Sequence, residues 1–117
     1  MQLNKLSMGR VLLFSVRTEN INVTVEAYFD DSENLIIDGY DIGKTVEEYW
    51  GDSDYEYTTT VPRDEVKKLY DLFNLPHGSK KELLAIFQSN YNTNTCYSEI
   101  QNLLDQHGIK CEGFSWR

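Results

Sequence analysis

This 117-residue chain has few of the residues that stabilise or anchor a protein covalently. It has two cysteines, Cys96 and Cys111, and no CxxC pair. Two thiols do not make a disulfide framework, and free cysteines are most often simply packed. Long apolar runs are also missing, and none approaches the roughly 20 residues that cross a bilayer. The N-terminus carries Lys5 and Arg10, but its apolar run Val11–Phe14 soon meets Ser15 and Arg17, and no small-residue cleavage site follows. It therefore reads as a first strand rather than a signal peptide, and the protein is expected to be cytoplasmic.

Signature loops are lacking as well. Gly39, Gly43 and Gly51 are scattered, with no Walker or Rossmann spacing, so phosphate cradling has no motif behind it. There is no EF-hand loop and no G-x-S-x-G elbow. Basic charge is scarce: 11 Lys and Arg stand against 19 Asp and Glu, a net charge of −8. Such a balance disfavours nucleic acid and membrane surfaces as partners.

The acid is concentrated. Eleven carboxylates lie between Glu26 and Glu56, opposed only by Lys44, so this stretch carries −10 and the rest of the chain is slightly positive. Its densest part, Glu47–Tyr57, reads EEYWGDSDYEY and interleaves acids with four aromatics. Carboxylates steer and pair with Lys or Arg, while tyrosine and tryptophan supply anchoring area. The candidate partner-binding residues are thus Glu47, Glu48, Tyr49, Trp50, Asp52, Asp54, Tyr55, Glu56 and Tyr57. In a strand or turn, Asp52, Asp54 and Glu56 point one way and Tyr55 and Tyr57 the other.

The length fits one domain, residues 1–117, able to bury a core unaided. Arg10–Arg17 reads as a strand with Leu12, Phe14 and Val16 on one face. Ile21–Asp30 alternates strictly, as a half-buried antiparallel strand does. Leu35–Tyr40 and Tyr55–Val61 follow as strands, with Val46–Trp50 readable as a helical turn or a loop. The period then changes. Val66, Leu69, Tyr70 and Phe73 mark an amphipathic helix. Ser79 and Glu82 form a capping box ahead of a second helix. A third helix spans about Cys96–His107, with Thr95 as N-cap and Gly108 as the left-handed residue that ends it. The tail through Phe114 and Trp116 returns as a docked last strand. Strands first and helices after predict an α+β fold: an antiparallel four- to five-stranded sheet with about three short helices on one face.

Other sites are weaker. The acidic segment is also readable as a hard-cation site or as a solvated face. Cys96 at a helix N-terminus, with His77 or His107 as base and Asp105 as orienter, is the one thiol-nucleophile arrangement available. Arg63, Lys67, Lys68, Lys80 and Lys81 read as the solvated backs of two helices. No catalytic residue, metal or cofactor is assigned, and the chain is expected not to be an enzyme.

The run DIGKTVEEYWGDSDYEY (Asp41–Tyr57) resembles the signature of an uncharacterised family of small bacterial proteins: DIG, then EE, an aromatic or Ile, W and GDSDYEY. LLDQHGIKCEGFSW (Leu103–Trp116) is similar to that family's ending, with Leu-Leu where Trp-Leu is common. The small acidic build resembles the immunity proteins of bacterial toxin–immunity systems. That resemblance implies a partner: a basic protein, a toxin C-terminal domain, with a nuclease the chemistry that best suits an acidic inhibitor. The alternative is a general interaction or regulatory module, homo-oligomeric in one form, in which the Glu47–Tyr57 motif is structural.

Overall fold

A computed structural model describes residues 9–19, 21–43 and 54–116. Among these residues, five strands and three helices follow in order: β1 Arg10–Arg17, β2 Ile21–Phe29, β3 Leu35–Gly43, β4 Asp54–Val61, α1 Arg63–Leu72, α2 Lys80–Asn90, α3 Cys96–Gln106 and β5 Glu112–Trp116. The strands form one sheet in the order β1-β2-β3-β4-β5, every neighbour antiparallel. The three helices are inserted between β4 and β5, and the chain returns to pair with the strand it left. The α+β expectation holds, with five strands.

Registry follows from polarity. In β2, Val25 and Ala27 are buried and Val23 and Phe29 pack beside them. Across the ladder, Ala27 faces Ile37 and Phe29 faces Leu35, and Leu35 faces Val61. These side chains join Val66, Leu69, Leu83, Phe87, Ile100 and Leu104 from the helices in a single core. The helices therefore cover one face of the sheet. Ile36 is also buried but lies outside that cluster, on the opposite face. There Arg10 stacks on the Tyr28 ring at 3.9 Å and bonds Glu26 at 2.8 Å.

The first strand departs from the simple alternation. A β-bulge falls between Leu12 and Phe14, so Leu13 enters the core at 3% exposure while Leu12 and Val16 stand 47% and 36% exposed. A bulge adds one unpaired residue and re-aims its neighbours, which breaks the expected Leu12–Phe14–Val16 face.

Helix ends divide into those whose local chemistry acts as expected and those where it does not. After α3, Gly108 has φ +65°. Its N–H donates to Asp105 and that of Ile109 to Leu104, which is the Schellman pattern. Asn74, at φ +59°, ends α1 the same way, with Leu75 N–H bonding Tyr70. At the helix starts, neither Ser79 nor Thr95 makes a side-chain cap bond. The predicted capping box is not formed, and Thr95 Oγ1 donates to Glu99 instead, at 2.6 Å.

No helix among the described residues is long and apolar enough to cross a membrane.

Candidate functional site

Beta-strand 3 runs to Gly43, three residues beyond its sequence-based end, and this extension builds a site. Leu35, Ile37, Gly39 and Asp41 share the helix-covered face by strand parity. The first two lie in the core, but Asp41 reaches past it and lines a cleft. Beta-strand 4 contributes Tyr55 and Tyr57, which pair with Asp41 and Gly39 respectively. Helix α3 sends Cys96, Ile100 and Leu104 into the core. Its Tyr97, Ser98 and Gln101 line the cleft with Asn94, and Gly113 of β5 completes it. The cavity is about 490 Å³.

Two hydrogen-bonded groups hold this wall. Tyr57 Oη donates to Asp41 Oδ1 at 2.9 Å. Below it, the hydroxyl of fully buried Thr59 meets Tyr97 Oη at 2.6 Å and accepts from Gln101 Nε2 at 3.0 Å. Three tyrosine rings are in contact: Tyr57 meets Tyr97 edge-on at 4.6 Å, and Tyr55 lies 5.4 Å from Tyr57. The Tyr57 ring fills the space a Cβ at Gly39 would need. Burial raises the Asp41 pKa above the ordinary carboxylate value, and the Tyr57 bond only partly offsets it. Burial and the neighbouring Asp41 carboxylate likewise push Tyr57 upward. Among the described residues no cation lines the cleft, so a half-buried carboxylate faces aromatic rings and polar groups.

The sequence-based site is divided by this structure. Glu47, Glu48, Tyr49, Trp50 and Asp52 lie outside the described residues, within the connection that joins Gly43 to Asp54. Asp54 opens β4 opposite Ile42. Tyr55 and Tyr57 belong to the cleft face, and Glu56, opposite Tyr40, to the other face. Asp41, Asn94, Tyr97, Ser98 and Gln101 were not among the candidates. One signal for Asp41 was present: it continues the parity of Leu35, Ile37 and Gly39.

The thiol arrangement does not assemble. Cys96 is fully buried, and burial raises its pKa, outweighing the helix N-terminus. His107 caps the far end of the same helix, about 16 Å away by helical rise. His77 Nε2 bonds Asp71 at 2.9 Å on the exposed surface. Among the described residues, no three His, Cys, Asp or Glu side chains are grouped to hold a metal ion. In the basic group, Lys68 bridges Glu65 and the Gly108 carbonyl, and Lys80 lies 3.7 Å from Glu33.

Compared with family models, curated proteins and solved structures, the chain has no match.

Proposed function

We propose that this protein is an acidic protein-binding module of the immunity type, which neutralises a basic toxin domain by covering its active site. The observation that carries the reading is the distribution of charge along the fold. Of the eleven carboxylates in the −10 stretch from Glu26 to Glu56, Glu26, Asp38, Asp41, Asp54 and Glu56 lie on β2, β3 and β4 and Asp30, Asp31 and Glu33 between β2 and β3, while Glu47, Glu48 and Asp52 lie outside the described residues. Glu26, Asp38 and Glu56 share the face away from the helices with Tyr28 and Tyr40, and Asp41 lies with Tyr55 and Tyr57 on the other. Enzymes that cut nucleic acid hold phosphates through Lys and Arg, and an acidic surface competes for those same groups. Complementary charge raises the association rate, and aromatic anchors slow dissociation.

The test is capture from lysate of the native cells with this protein as bait, followed by an activity assay. A basic protein retained at low salt, released when Asp52 and Asp54 are reversed to Lys, and inhibited in plasmid cleavage by the wild-type bait supports the reading. Capture unaffected by the reversals, or a captured protein whose activity is untouched, overturns it.

One observation favours a second reading. Asp41 and Tyr57, the ends of the Asp41–Tyr57 run, bond each other, and Tyr57 packs on Gly39 and Tyr97. The motif then serves to shape a hairpin in a general interaction or regulatory module. With Trp116 replaced by Phe, a blue-shifted, quencher-resistant Trp50 supports this reading, and an exposed Trp50 supports the first.

A further inference from the structure

We propose that the cleft between β4 and α3 is a receptor for one guanidinium group, the side chain of an arginine presented by the basic partner. The claim deepens the proposed function and rests on it only for the owner of the arginine.

The cleft's chemistry selects the ligand's charge. Its one ionisable acid is Asp41, and among the described residues that carboxylate bonds only Tyr57, through Oδ1. A half-buried carboxylate with no cation beside it among the described residues carries part of the cost of desolvating a charge. Among the described residues the wall offers no donor of positive charge, and a cationic ligand would compensate the carboxylate. Gln101 uses its amide N–H on Thr59 and leaves its carbonyl as an acceptor. The remaining surface is aromatic, with Tyr55, Tyr57 and Tyr97 at mutual tilts of 40° and 76°. Aromatic rings beside a carboxylate are the surroundings that favour a flat cation.

Guanidinium fits this set better than ammonium. It is planar, weakly hydrated and able to stack on tyrosine while its N–H fork engages a carboxylate. A metal ion would need further hard oxygen ligands, and one carboxylate does not supply them. An anion would meet Asp41 with nothing among the described residues to neutralise it. The partial burial of Asp41 matters too: charge pairs partly shielded from solvent contribute more than exposed ones. The cleft therefore adds a specific contact to the long-range attraction of a chain of net charge −8.

Gly113 supplies a clean way to close the site. It lines the cleft, and a Cβ built on it meets nothing within 4 Å. A leucine there projects into the cleft from a position whose Cβ meets no neighbour.

The experiment is an NMR titration of the full chain with N-acetyl-arginine N-methylamide, using the neutral isostere N-acetyl-citrulline N-methylamide as control. Saturable shifts at Tyr55, Ser98, Gln101 and Gly113 are expected, with citrulline at least about tenfold weaker because it lacks the charge. Asp41→Asn and, independently, Gly113→Leu each abolish the saturable response. Lys44→Ala leaves it unchanged. Shifts that are equal for arginine and citrulline, or that spread over Glu26, Asp38 and Glu56 and ignore both cleft variants, overturn the assignment. Binding at least about tenfold tighter in Lys44→Ala makes the chain's own lysine the occupant and overturns it equally.

The result is separable from the function it deepens. A basic partner captured by a protein whose cleft ignores arginine refutes the receptor and leaves the immunity reading standing. A cleft that takes arginine in a protein that captures no basic partner does the reverse.

Discussion

Tyr57 and Gly39 face each other across β3 and β4, and the tyrosine ring occupies the volume that any side chain at 39 would claim. The glycine is required by a neighbour, not by its own backbone. It lets the ring lie close against β3 with its hydroxyl on Asp41. Gly39→Ala is therefore expected to displace the ring, break the Tyr57–Asp41 bond and cost about 1–3 kcal/mol, as overpacking does. Urea denaturation measures the loss. A variant as stable as the wild type would mean that the ring moves aside freely.

The bulge in β1 makes adjacent leucines unequal. Leu13 is in the core and Leu12 is nearly half exposed. Leu13→Ala should cost about 2–5 kcal/mol, the range for a buried leucine. Leu12→Lys should fall within about 0.5 kcal/mol of wild type, as surface changes do. The reverse ranking, read by thermal melts, would restore the simple alternation with Leu12, Phe14 and Val16 inward.

Thr59 is the buried polar centre of the cleft wall. Thr59→Val keeps the shape but leaves Tyr97 Oη and Gln101 Nε2 without their common partner. The expected loss is about 1–3 kcal/mol, toward the lower end because Gln101 is exposed. Thr59→Ser retains the oxygen and loses only a methyl, about 0.8 kcal/mol. If Val proves no worse than Ser, the hydroxyl contributes nothing.

These contrasts show what a sequence exposes and what it hides. Beta-strand 2 was legible because an uninterrupted period of two has a single reading. The start of α1 and the stop at Gly108 were legible because helical spacing and a left-handed C′ glycine act locally. The β1 bulge carries no Gly or Pro to announce it, and it is set by packing against α2 and β2. Ser79 and Glu82 have the residues of a capping box, yet Ser79 sits at φ −78° and ψ 63°, and its hydroxyl makes no cap bond. Half the cleft was out of reach for another reason. Asn94, Tyr97, Ser98 and Gln101 lie about forty or more positions from Asp41 and Tyr55, and only the return of the helices over the sheet brings them together. Acidic composition pointed to a kind of partner; local spacing held no sign of a receptor for one side chain.

Asp41 should be held at the expense of stability, and pH reveals it. Its folded pKa is raised, with burial the main cause and the Tyr57 bond opposing it. Between the ordinary carboxylate value and that raised value, the folded state binds more proton than the unfolded one, so stability falls as pH rises through the window. Above it the full cost of the buried charge is present; below the ordinary value it is gone. Asp41→Asn keeps an acceptor for Tyr57 and removes the charge. It is therefore expected to be more stable than wild type at pH 7, with the gain vanishing below the ordinary carboxylate range. Removing any acid from a chain of net charge −8 relieves some repulsion, so exposed Glu112→Gln is the reference. Paired urea melts across pH 3 to 8 decide the matter. A larger gain for Asp41→Asn than for Glu112→Gln, fading on acidification, marks a carboxylate kept for binding rather than for folding. Equal gains, or a loss at pH 7, would make Asp41 an ordinary member of the fold and remove the energetic argument for a cation in the cleft.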